Sequence, residues 1–195
     1  VIVAENGSQT LRKVSEIYDR IAFAGVGKYN EFDQLRVAGV RAADLKGYQY
    51  SRDDVDARSL ANQFAQILGN IFTHEMKPME VEILVAEVGQ EPAVDQMFHI
   101  VYDGTVVDQR NTAVLGGDAE HIGERLRGGY EDGLDLAGAV KLGVASLAGP
   151  DREIPVTELE VAALVRGNGR RCFQRLDDAA VTAGCFVLAR RFLAI

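Results

Sequence analysis

Apolar and polar positions along this chain follow two different periods in turn. Val14, Glu16 and Tyr18 alternate with Ser15, Ile17 and Asp19, the two-residue rhythm of a strand over about 12–18. After the polar Asp19-Arg20 pair, Ile21-Ala-Phe-Ala-Gly-Val26 is small and apolar throughout, which predicts a strand over 21–27 buried on both faces. Gly25 and Gly27 let backbone turn, or approach other backbone, without a Cβ in the way. The period then lengthens. Phe32, Leu35, Gly39, Val40 and Ala43 share one side of a helix over 30–45, with Asn30 as its cap and Gly47 as its end. Tyr48-Gln-Tyr50 reads as a short extended link. Asp54 or Asp56 then caps a longer helix whose stripe is Leu60, Phe64, Ile67, Leu68, Ile71 and Phe72, broken at Lys77-Pro78.

The alternation returns downstream. Val81–Val88 reads as a strand, 89–95 as a loop, and Met97–Tyr102 with Thr105–Asp108 as a hairpin turned by Asp103-Gly104. Ala113–Leu115 is predicted as a short strand stopped by Gly116-Gly117. Asp118 caps a helix carrying Ile122, Leu126 and Tyr130, and a further helix carries Leu136, Val140, Val144 and Leu147. Val1–Ala4 is a strand ended by Asn6-Gly7. Two last strands, 158–165 and 171–175, flank the Gly167-Asn-Gly169 turn. Grouped strands separated by paired helices argue against a doubly wound parallel sheet. They fit two antiparallel sheets, each with a helix pair: an α+β fold of the four-layer α-β-β-α kind.

Composition narrows the function. The 195 residues, 47% hydrophobic, suit a single domain over 1–195. A net charge of −8 gives no nucleic-acid footprint. Cys172, Cys185 and three scattered histidines have no metal-ligand spacing, so no metal and no cofactor is expected, and a reducing cytoplasm suits the cysteines. No signal peptide or membrane span is read. The chain opens with Val1-Ile-Val-Ala-Glu5, a strand already under way, so a segment upstream is expected. Leu115-Gly-Gly-Asp118 is only faintly like a phosphate loop, and an aspartate at the helix start would repel an anion.

Several runs together carry a family resemblance. Residues 13–36 (KVSEIYDRIAFAGVGKYNEFDQLR), 47–88 (from GYQYSRDDVD to VEILVAEV) and 102–108 (YDGTVVD) resemble the proteasome α-type subunit in its actinobacterial form. Residues 115–147 and 158–165 (ELEVAALV) continue the likeness more loosely, to about Leu176. The apolar stretch 179–195 departs from the polar tail of that family.

This resemblance implies the N-terminal-nucleophile hydrolase fold and a non-catalytic role. Catalytic relatives use an N-terminal Thr, Ser or Cys activated by its own amine. Here Leu115–Glu120 lacks the serine turn of catalytic subunits, and Gly149–Thr157 lacks their late Asp and Ser/Gly pattern, although Lys13 falls at the catalytic lysine's place. The implied role is a seven-membered ring that caps the catalytic β subunits, gates the entry of unfolded protein substrates and receives ATPase or other activators. Lys13 would pair with the chain-end carboxylate of an activator tail ending hydrophobic–Tyr–any residue, and Gly27 and Lys28 would form the pocket's backbone wall. Read without the resemblance, Lys13 is a solvated strand lysine beside Glu16. Arg36, Arg41 and Lys46 meet a neighbouring subunit or form a solvated helix face, and Tyr48 and Tyr50 are interface anchors or ordinary loop residues. Two rival readings are a catalytic β-type subunit with its Thr upstream and an unrelated monomeric ligand-binding domain.

Overall fold

A computed structural model describes residues 1–8 and 10–183. In chain order its elements are β1 (Ile2–Glu5), β2 (Val14–Tyr18), β3 (Ile21–Gly27), α1 (Tyr29–Gln49), α2 (Ala57–His74), β4 (Val81–Glu87), β5 (Gln96–Ile100), β6 (Val106–Asp108), α3 (Ala119–Gly129), α4 (Leu136–Ala148), β7 (Leu159–Leu164) and β8 (Phe173–Leu176). The class is the one expected, α+β with two sheets and two helix pairs, and every strand pairing with a defined register is antiparallel. The chain divides into two compact units, one over 15–116 and 164–173, the other over 1–14, 117–163 and 174–183.

The larger unit carries the five-stranded sheet β2-β3-β4-β5-β6 with α1 and α2. Its core joins Ile21, Phe23, Ile83, Val85, Phe98 and Ile100 of the sheet to Phe32, Leu35, Leu60, Phe64 and Leu68 of the helices. Each strand gives alternate residues to this face, as a pleated strand must. In β3 the intervening Ala22 and Ala24 are buried as well, as the unbroken apolar run predicts. Phe23 and Phe64 pack at a centroid distance of 5.8 Å, tilted by 58°. Gly39 lets α1 come close: a Cβ there would stand 2.5 Å from Phe64 Cζ.

Helix ends differ from the sequence reading. Lys28 is the N-cap of α1 and makes no side-chain cap bond, while Asn30 is already helical and exposed. Gly47 does not stop α1, which runs on through Tyr48 to Gln49. The glycine is used instead for packing, since a Cβ there would overlap the Tyr18 hydroxyl. Of the two aspartates offered as the cap of α2, Asp56 takes the place, its Oδ1 accepting from the Ser59 N–H at 2.8 Å. The predicted strand over 113–115 does not form; positive φ at both Gly116 and Gly117 turns the backbone away from extension.

In the smaller unit the sheet order is β1-β7-β8, with β1 antiparallel to β7 in a register that sets Ala4 opposite Glu160. Val140, Val161 and Val181 form its core, with Val3, Val144 and Leu159 packed against them. Gly143 of α4 lies against Val3, and Arg125 of α3 donates from Nε to the Ser146 carbonyl of α4 at 2.9 Å. Leu136, expected on the buried stripe, is 42% exposed. Of the apolar stretch 179–195, a helix starts at 178 and buries Val181; Cys185 and the rest lie outside the described residues.

Candidate functional site

Glu160 is the second residue of the otherwise apolar strand β7 and is 3% exposed. A carboxylate so buried needs donors on both oxygens. Oε2 accepts from Asn6 Nδ2 and from the backbone N–H of Lys13, both at 2.9 Å. Oε1 accepts from the Val14 N–H at 3.2 Å and pairs with Arg175 Nη1. Arg175 also donates from Nη2 to the Val14 carbonyl at 2.6 Å. The loop between β1 and β2 is therefore fastened to β7 through side chain and backbone together. Asn6, Arg12, Glu160 and Arg175 line a polar cleft of about 130 Å³.

Lys13 lies just before β2, partly exposed. Its ammonium donates to the Glu5 carbonyl oxygen at 2.8 Å. The Glu5 carboxylate is held elsewhere: Arg152 grips it at 3.0 and 2.6 Å, and that bond keeps the Glu5 carboxyl below its ordinary range. Among the described residues no carboxylate stands at ion-pair distance from the Lys13 ammonium, whose acceptor is a neutral carbonyl. The strand neighbour Glu16 binds Arg171 instead, at 2.6 Å, so the reading of Lys13 as a lysine beside Glu16 is replaced by this arrangement.

Gly27 ends β3 and Lys28 follows it, both in the larger unit. Gly27 has φ +102°, and a Cβ there would overlap the Glu80 carbonyl oxygen, so this site admits only glycine without strain. Lys28 donates its backbone N–H to that same oxygen at 3.0 Å, and its ammonium pairs with the Glu80 carboxylate, also at 3.0 Å. Lys77 adds a second cation to Glu80 and meets Glu31 at 3.2 Å.

The remaining candidates have ordinary surroundings or open ones. Arg36 pairs with Asp33 and Lys46 with Asp56, while Arg41 is exposed on α1. Tyr48 and Tyr50 are 90% and 75% exposed, and Leu45 and Phe72 stand about half exposed. Asp118 sits at the start of α3 with its carboxylate against His121 Nδ1 at 2.8 Å. Cys172 is a buried free thiol. Among the described residues, no group of three or more His, Cys, Asp and Glu is placed to hold a metal. None of their helices is long and apolar enough to cross a membrane.

Two antiparallel sheets and two helix pairs are the α+β class of the N-terminal-nucleophile hydrolase type. The family model described as "Proteasome subunit" matches residues 4–155, and the chain belongs to that family. It is 59% identical over 177 residues to the protein named "Proteasome subunit alpha" of Acidimicrobium ferrooxidans, covering 91% of this chain and 76% of that one. Over 195 residues it is 52% identical to the protein of the same name from Xylanimonas cellulosilytica, covering 94% and 80%. To that of Sanguibacter keddieii it is 55% identical over 184 residues, covering 89% and 72%.

Proposed function

We propose that this chain is a non-catalytic α-type subunit of a 20S proteasome core. In this reading it forms a ring with copies of itself and stacks on β subunits that do the threonine-type proteolysis. It governs the entry of unfolded protein substrates and docks the C-terminal tails of ATPase or other activator rings. It works in the cytoplasm. The alpha designation shared by the relatives supports this reading, and so does the lack of a serine turn in 115–120 and of the late Asp and Ser/Gly pattern of catalytic subunits in 149–157. Both weigh against the β-type reading. Large apolar side chains left open at Leu45, Tyr48, Tyr50 and Phe72 suit a chain that works in an assembly.

The observation that carries the docking role is the state of Lys13. Its ammonium is partly desolvated, is held in place by a neutral carbonyl, and faces no carboxylate of the described residues at ion-pair distance. A chain-end carboxylate would complete a charge-assisted pair there, of the order of 1.5–3 kcal/mol. Gly27 and Lys28 are proposed as the backbone wall against which an extended tail lies. Lys13→Ala should abolish stimulation by tail-bearing activators while assembly and small-peptide cleavage by the partner subunit persist. Loss of assembly, or stimulation that survives, overturns the docking role.

A further inference from the structure

Glu160 has a larger role than filling a hole in β7. We propose that it is the positioning residue for Lys13, so that the tail carboxylate is read by a lysine held in place from within; this rests on the docking role of Lys13 proposed above.

Both ends of Lys13 are held from one pair of strands. Its backbone N–H is fixed by the Glu160 carboxylate of β7, and its ammonium by the Glu5 carbonyl of β1. In the β1–β7 register Glu5 stands opposite Leu159, next to the Ala4–Glu160 pair. The anchor and the acceptor are therefore set by the same ladder. Asn6 ties the loop's beginning to the same carboxylate and also donates from Nδ2 to the Leu11 carbonyl at 2.7 Å. Arg175 ties the loop's far end, through Val14. Lys13 lies outside β2, so no ladder bond would hold its N–H in place of Glu160.

The chemistry calls for a carboxylate. Two oxygens that only accept meet donors from Asn6, Lys13, Val14 and Arg175. An amide at position 160 would turn an NH₂ group toward one set of donors in either orientation. A flexible lysine stem loses rotamer freedom when it pairs, so fixing its backbone beforehand leaves less freedom to lose on binding. Preorganisation should therefore show in the affinity for the charged tail alone.

The test measures binding of a synthetic octapeptide ending Leu-Tyr-Ala to the assembled full-length chain, once as the free acid and once as the C-terminal amide. The native chain should bind the free acid about ten-fold or more tightly than the amide. Glu160→Gln should weaken the free acid about five-fold or more and leave the amide within about two-fold. Lys13→Ala should bring the two peptides to equal affinity. General damage to the fold would weaken both peptides in parallel, and that result, or no change for either, overturns the positioning role. If Glu160→Gln does not fold, Asn6→Ala removes one donor without touching the charge and should give the same selective loss, smaller in size.

Hydrogen exchange separates this inference from the docking reading beneath it. A native chain that binds both peptides equally defeats the docking role. The Lys13 amide still decides the positioning: it should exchange slowly in the native chain and faster in Glu160→Gln, with the β4 amides unchanged. Exchange of the native Lys13 amide at the rate of an exposed loop overturns the inference.

Discussion

Glu87 accepts the backbone N–H of Ala57 on Oε2 at 2.7 Å, so the last residue of β4 closes the first turn of α2. Its other oxygen faces Arg20 at 3.2 Å. Burial pushes the Glu87 carboxyl above its ordinary range; the Ala57 bond and Arg20 pull the other way, and Asp56 and Asp95 push it further up. A folded carboxyl with a raised pKa binds its proton more tightly than the unfolded chain does. Its contribution to stability is thus greatest with the proton on, below the unfolded value of 4.5, and declines as pH rises through the folded value. Glu87→Gln should therefore gain on the native chain in melting temperature as pH rises from about 4.5 to about 7. Thermal unfolding of both chains across that range checks it; a constant difference would contradict it.

Position 27 should tolerate no side chain. Gly27→Ala meets an unfavourable φ and the Glu80 carbonyl at once, for an expected loss of about 2–4 kcal/mol in urea unfolding. The adjacent Lys28–Glu80 pair is about half exposed and screened by solvent, so Lys28→Ala should leave the urea midpoint nearly unchanged.

Asp56 holds the start of α2 through the Ser59 N–H and hydroxyl and also meets Lys46 at 2.9 Å. Asp56→Ala should cost about 1–2 kcal/mol, while Asp56→Asn, which keeps a capping oxygen, should cost less. Denaturant melts of the two variants separate cap from charge.

Stimulation by activator tails, if it runs through the Lys13 ammonium, should weaken with salt. Between about 0.05 and 0.5 M salt the tail affinity should fall a few-fold, as screening of one partly exposed pair implies. Titration of the tail peptide against salt measures it, and a flat response would point to apolar contacts instead.

Much of the fold was legible because its signals are local. The β3 run, the Leu60–Phe64–Leu68 stripe and the Asp103-Gly104 turn all read correctly from a few neighbours at a time, and the cap of α2 was narrowed to Asp54 or Asp56. The ends of α1 were misread, since Asn30 and Gly47 carry propensities that packing overrules; Tyr18 over Gly47 is a contact that no window of the helix contains. The site was half visible. Lys13 stood out only through the resemblance, and the carboxylate that fixes it lies 147 residues away. Its one local signal was a lone charged residue inside Leu159–Leu164, the sort of interruption that a buried network leaves in an apolar strand.

The near-touch between Gly39 and Phe64 has a consequence for how such sequences can diverge. An extra methyl on α1 is accommodated only if the ring opposite shrinks, so Gly39→Ala should be harmful alone and milder beside Phe64→Leu. The two sites are then expected to mutate as a couple, and lineages with a bulkier residue at one should carry a slimmer one at the other.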